Sequence, residues 1–304
     1  MSATHAAAAD LDAAADPAPL RLMVVHAHPD DESIMTGGII ARYLAEGAEV
    51  TVVTCTLGEE GEVIGATWAG LVADGGADQL GGYRVLELTQ ALAALSPDDR
   101  PLEPLFLGGA GRWRDSGMAG SPAAAHPRAF SNAGAAPVAA LADLIVERAP
   151  QVLIGYDPAG TYGHPDHVTV HRICAEAIAE ATRRGTSVTK HYWSVSEDSA
   201  LQAGLAAAAD RVPAGWRMPE PGELPSCPDS EITTAIDVRS VLDRKVAALA
   251  AHATQITVAP SRTEYALSNN ILQPVFAVEH LILVAGTSGP LIDGREVDVF
   301  GSVT

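Results

Sequence analysis

Short apolar runs alternate with helix-length segments through the first 180 residues, and this alternation restricts the chain to one class of architecture. Residues 22–25, 50–57, 105–107 and 151–156 have the length and β-branched content of buried strands. Between them, helical patterns cover 29–46, with Gly47 as the stop, then 77–95 and 137–149, and another helix opens near Pro165. Successive strand–helix–strand units pair their strands in parallel through right-handed crossovers. The spacing therefore predicts an α/β fold, a Rossmann-like, mostly parallel sheet with helices on both faces.

The regularity weakens after residue 185. Strands are expected at 191–195, 232–238 and 279–285 and helices at 199–209 and 241–253, while 211–230 holds five prolines and reads as loop. We expect 20–185 to form the catalytic domain and 186–304 a smaller α+β region that packs on it and completes the substrate site. Residues 1–19, rich in Ala and Asp, have almost nothing to bury and are expected to be a disordered tail.

Charge narrows the partners. Lys and Arg number 19 against 38 Asp and Glu, a net charge of −19, and no basic run occurs. Nucleic acid and anionic membranes would repel such a surface, so a small-molecule partner is expected. No apolar stretch approaches the roughly 20 residues of a membrane helix, and residues 1–19 lack the basic start and apolar centre of a signal peptide. Cys55, Cys174 and Cys227 show no close pairing, which fits a reducing, cytoplasmic setting.

Ligands of parallel α/β sheets bind beyond the carboxyl ends of the strands. Two such ends carry the same pattern: His28-Pro29-Asp30-Asp31 and His164-Pro165-Asp166-His167. In each, proline suits the first helical position, the histidine is placed to cap, and the fourth residue lies one turn on, on the same face. One such motif alone fits a helix terminus whose acidic residues complement the dipole. Two at equivalent positions, on strands that can be neighbours, point to a metal site built from imidazole and carboxylate, a donor set suited to Zn²⁺. Residue types alone leave open which histidine stays unbound. Adjacent Asp30 and Asp31 diverge on a helix, so one ligand and one base is the economical division.

The run from Val25 to Ser33, paired with Tyr162 to Val168, resembles the PIG-L or LmbE-like family of zinc-dependent N-deacetylases. Residues 54–65, 79–84, 108–120 and 247–255 are similar to the branch of that family acting on N-acetylglucosaminyl inositol in mycothiol biosynthesis, while 1–19 and 183–230 depart from it. The resemblance implies His28, Asp31 and His167 as ligands of one Zn²⁺ per chain, a set that also accepts Fe²⁺. It implies Asp30 as general base on the attacking water and His164 as the unliganded histidine, donating to the oxyanion or the leaving amine. Asp166 would orient His164, and Tyr162 would help polarise the acetyl carbonyl. Arg84 and Asp115 are the implied sugar or inositol contacts, with Glu62 and Asn269 or Asn270 as weaker candidates.

Other signals carry less. His171 reads as a helix-face residue, His26, His191, His252 and His280 as satisfied buried histidines, and Trp113 as loop core. The glycines at 58, 61 and 65 and at 108, 109 and 111 do not form a dinucleotide fingerprint, and there is no GxSxG elbow. The rival enzyme is a mycothiol S-conjugate amidase using the same constellation. From other classes, two histidines and a carboxylate could hold Fe²⁺ for oxygen chemistry, or the metal could be structural in a non-catalytic sugar-binding module. The spare carboxylate of Asp30 argues against both.

Overall fold

The computed structural model describes residues 19–73 and 78–303. Most of the expected tail, residues 1–18, lies outside them. The four apolar runs become β1 (Arg21–His26), β2 (Glu49–Thr54), β3 (Leu105–Phe106) and β4 (Val152–Tyr156). They pair in parallel in the order β3-β2-β1-β4, and β5 (Lys190–Val195) extends the parallel set beyond β4.

The later strands join the same sheet. β6 (Thr234–Asp237) is followed by β7 (Thr257–Val258), β8 (Glu264–Ala266) and β9 (Gln273–Pro274), which form a small antiparallel sheet of their own. No strand was expected in that stretch, because elements of two or three residues are too short to show a period. β10 (Val278–Ala285) lies antiparallel between β5 and β6, and β11 (Leu291–Ile292) and β12 (Arg295–Glu296) complete a nine-stranded sheet.

The helices are α1 (Asp31–Met35), α2 (Gly37–Ala45), α3 (Gln79–Leu95), α4 (Ala136–Arg148), a kinked turn α5 (Gly160–Gly163), α6 (Pro165–Arg183), α7 (Asp198–Ala208) and α8 (Leu242–Ala251). Strand residues alternate between two cores. Leu22, Val24, Val52 and Ile154 pack with α2 and α3, whereas Met23, Val25, Val53 and Leu153 pack with α4 and α6. Side chains of period two thus send apolar groups to both faces, which is why both must be covered by helices.

The first helix departs from expectation in two ways. It begins after Asp30 rather than at Pro29, and it breaks at Thr36, whose φ of −140° is not helical. The Thr36 hydroxyl is drawn to His26 Nε2 at 2.8 Å, and the free N–H groups of Gly38 and Ile39 donate to the Glu279 carboxylate at 2.8 and 2.7 Å. Glu279 also accepts from Lys245 Nζ at 2.7 Å, so a carboxylate from β10 caps α2 and draws α8 against it.

A buried ion pair ties the end of the chain into the sheet. Lys190 and Glu296, both fully buried, pair directly, and Glu296 also accepts from the Tyr192 hydroxyl at 2.6 Å and the Gly289 N–H at 2.6 Å. Lys190→Met leaves a buried, uncompensated carboxylate and is expected to cost about 3–5 kcal/mol. Replacing Glu296 by Leu in the same chain should recover much of that loss. Denaturant unfolding of the two variants against the parent checks both outcomes.

Candidate active site

β1 and β4 are adjacent and parallel, with Val24 beside Ile154, so the loops that follow them emerge side by side at one sheet edge. His28–Asp31 leaves β1 and His164–His167 leaves β4. His164 caps α6 with Pro165 at the first position, its Nδ1 accepting the Asp166 N–H at 3.2 Å. Because Nδ1 accepts, the ring hydrogen of His164 sits on Nε2.

Three donor atoms converge there. Asp31 Oδ2 lies 3.3 Å from His28 Nδ1 and 3.4 Å from His167 Nε2. Neighbouring ligands of a zinc ion at about 2.0–2.1 Å would stand roughly 3.3 Å apart, close to these two separations, and ring nitrogens of His28, His164 and His167 also lie within 4.8 Å of one another. His167 is 1% exposed and neither of its ring nitrogens has a hydrogen-bond partner among the described residues. A buried imidazole with two idle nitrogens is costly unless an ion uses one of them. The donors therefore fit a divalent metal. His164 brings a third imidazole close, its ring centre 4.6 Å from that of His28.

The opposite edge of His28 meets other carboxylates. Its Nε2 is 3.3 Å from Asp166 Oδ2 and 3.5 Å from Asp115 Oδ1. Those oxygens already accept the N–H groups of Ser116 at 3.0 Å and Gly117 at 2.8 Å, which leaves them as anchors behind a metal-binding imidazole. Asp166 was expected to orient His164; its carboxylate instead sits on His28, and only its backbone N–H reaches His164. Asp115 was expected on the sugar; it is 4% exposed and held between His28 and the Glu60 N–H.

Asp30 diverges from Asp31, and its carboxylate meets the Arg84 guanidinium at 3.0 Å. Burial is the main influence on this carboxyl. Arg84 opposes it and Asp31 reinforces it, and the balance pushes the pKa up to about 6. Asp31 is held well below the usual range, because the His167 and His28 charges outweigh its burial. His164 is drawn down to about 4, first by burial and then by His28 and His167, so it is a neutral Nε2–H donor.

Arg84 was expected to touch sugar hydroxyls. It is 3% exposed, donates from Nη1 to the Gly58 carbonyl at 2.8 Å, and donates from Nη2 to the Pro29 carbonyl as well as pairing with Asp30. Gly58, at φ +65°, and Gly61 make room for it: a Cβ on either would collide with the guanidinium. The glycines of the acidic loop thus serve Arg84.

A cavity of about 570 Å³ opens over these groups, with Arg84, Asp115, Tyr162, Glu62 and Asn269 on its wall. Tyr162 is 53% exposed and stands edge-on to His167, 5.1 Å between ring centres. Asn270 is not on that wall: it turns away at φ 55° and bonds weakly to the Ser268 carbonyl. Trp113 is core, packed on Phe130.

Three participants escaped the sequence reading. Tyr156 stacks on His167, ring centres 4.2 Å apart, and its hydroxyl accepts the Ala27 N–H at 3.1 Å. At the end of an apolar strand it looks like core. Glu32 and His252 form a buried pair beside Asp30, 2.7 Å apart. His252 follows an amphipathic helix, and nothing local sets it apart from an ordinary buried histidine. No helix of the described residues is long and apolar enough to cross a membrane.

Comparison with known proteins identifies the family. The profile of PIG-L, GlcNAc-PI de-N-acetylase, matches residues 23–178. A curated protein of Gordonia bronchialis, 1D-myo-inositol 2-acetamido-2-deoxy-alpha-D-glucopyranoside deacetylase, is 65% identical over 93% of this chain and 100% of its own length. One of the same description from Rhodococcus erythropolis is 58% identical over 93% of this chain and 97% of its own. Among solved structures, the 4-carboxy-2-hydroxymuconate hydratase of Pseudomonas putida KT2440 shares the fold, with a TM-score of 0.54 at 18% identity over 90% of this chain and 99% of that one. The matched segment contains both His-Pro-Asp motifs and the strands that carry them, and the chain belongs to the PIG-L family of GlcNAc-PI de-N-acetylases.

Proposed function

We propose that this enzyme hydrolyses the N-acetyl group of 1-O-linked 2-acetamido-2-deoxy-glucopyranosyl myo-inositol, giving glucosaminyl inositol and acetate in mycothiol biosynthesis. The observation that carries the reaction class is the pairing of a His28–Asp31–His167 donor set with a second carboxylate, Asp30, which is held by Arg84 and lines the same cavity. The substrate reading is supported by relatives of that deacetylase description, which this chain matches over nearly their whole length. A cytoplasmic setting is part of the same proposal.

His28, Asp31 and His167 would hold one ion, Zn²⁺ or Fe²⁺, in each chain. Such an ion acts as a Lewis acid on a carbonyl and lowers the pKa of water. Asp30, with a carboxyl near pH 6, takes the proton from the attacking water. His164, neutral with its hydrogen on Nε2, donates to the developing oxyanion, and Tyr162 lies over the same space to help polarise the acetyl carbonyl. The proton gained by Asp30 is then the one the departing amine requires, so the chain's own groups balance the reaction.

The test is to incubate metal-replete enzyme with the acetylated inositol glycoside and follow acetate and free amine. A mycothiol S-conjugate is run in parallel. The cavity also has Leu201, Leu224, Ile271 and Phe276 on its wall, an apolar surface of the kind that suits a thioether substituent, and this favours amidase action as a second activity. Failure to release acetate from the glycoside would sink the primary reading.

Arg84 sharpens the mechanism. If its work is to hold Asp30, Arg84→Met should lower kcat on the full glycoside and on a truncated acetylated amine alike, whereas a sugar contact would spare the truncated amine. The base must be ionised, and Arg84 lowers its pKa. Removing that charge raises the pKa, so the acid limb of the kcat/KM profile should move to higher pH.

A further inference from the structure

Asp30 sits in a backbone conformation that L-residues rarely adopt, with φ 124° and ψ −34°. Such a residue persists only where its surroundings over-determine it. The arrangement around it does so from two sides. Arg84 holds the carboxylate. On the other side, the Asp30 N–H donates to Glu32 Oε2 at 2.9 Å, while Glu32 Oε1 accepts from the Ser33 hydroxyl at 2.6 Å and from His252 Nε2 at 2.7 Å. Glu32 and His252 are fully buried, so this pair is closed to solvent and to substrate.

His252 is fixed in turn. It stands at the end of α8, and two residues on Thr254 donates its N–H and hydroxyl to Glu87 at 2.7 and 2.8 Å. Glu87 lies on α3, one turn beyond Arg84. α3 therefore reaches Asp30 twice, directly through Arg84 and indirectly through Glu87, Thr254, His252 and Glu32. A closed loop of contacts surrounds one strained residue.

We propose that the Glu32–His252 pair is a clamp that sets the backbone of Asp30 and so aims its carboxylate, making His252 a positioning residue for the deacetylation. This rests on the reading of Asp30 as proton acceptor. His252 is not among the residues lining the substrate cavity, and it reaches the site through Glu32, whose other carboxylate oxygen accepts the Asp30 N–H.

The experiment is a double-variant cycle on the full-length, metal-loaded enzyme. His252→Leu removes the donor to Glu32. A misplacement of about 1 Å costs on the order of 10²-fold in rate, so kcat should fall by up to about that factor, with KM and the metal content of the chain unchanged. His252→Gln keeps an N–H near the Nε2 position and should restore most of the rate. In an Asp30→Asn background, His252→Leu should change kcat by no more than about twofold, because the group it aims is already gone. Should His252→Leu not fold, His252→Asn, too short to reach Glu32, replaces it in the cycle. The clamp is overturned if the losses at 252 and 30 multiply, if KM or metal content moves instead of kcat, if the Gln variant is as slow as the Leu variant, or if kcat does not change. An Asp30→Asn enzyme of normal kcat would instead overturn the base assignment itself, so the two failures are distinct.

Discussion

Asp30→Asn is expected to lower kcat by about 10²–10⁴-fold, the usual contribution of a positioned proton acceptor, while the chain retains its metal. The substitution is almost isosteric. Asp30 contacts none of the converging donors, and its carboxylate is turned to Arg84. Burial keeps its carboxyl near pH 6, so it is ionised at neutral pH yet basic enough to take a proton. An amide in its place keeps the shape and loses the basicity. Asp31→Asn should do the reverse and weaken metal binding, because Asp31 Oδ2 is the atom shared between His28 and His167. Metal analysis alongside kcat for both variants checks the division, and a metal-free Asp30→Asn enzyme would contradict it.

Removing the ion should have a larger effect still. Chelation is expected to abolish turnover, and added Zn²⁺ or Fe²⁺ to restore it. His167→Ala should lose bound metal and activity together. Neither ring nitrogen of buried His167 has a hydrogen-bond partner among the described residues, and the ring stacks on Tyr156, so packing fixes its position. Losing it removes one of three protein donors. Asp166→Asn, behind His28 Nε2, should cost a smaller factor of about 10–100 in metal affinity, as loss of an orienting partner does. Full activity in rigorously metal-free protein would defeat the metal assignment.

Much of this was legible in the chain. Apolar runs before His28 and before His164 are strands because β-branched and aliphatic residues fill both faces of a covered sheet, and the run-then-helix order compels parallel pairing. Parallel pairing places both His-Pro-Asp motifs at one edge, so the convergence of the two motifs follows from local pattern and one topological rule, whereas the choice of His28, Asp31 and His167 within them is what the family resemblance implies. Where local pattern carried no signal, the reading fell short. The break at Thr36 depends on His26 and Glu279, and Glu279 is far along the chain. The strands at 257–274 are too short to show a period.

What the sequence by itself determined is the class of the sheet, the edge that carries the site and the residue types that meet there, since each depends on periodicities within some twenty residues. What only the tertiary structure decided is which polar group faces which. Arg84 turned to Asp30, Asp115 and Asp166 went behind His28, and His252 reached Glu32 across 220 residues. A buried charge must find its partner wherever the packed chain brings one, and that requirement acts through space. No local pattern in the sequence carries it.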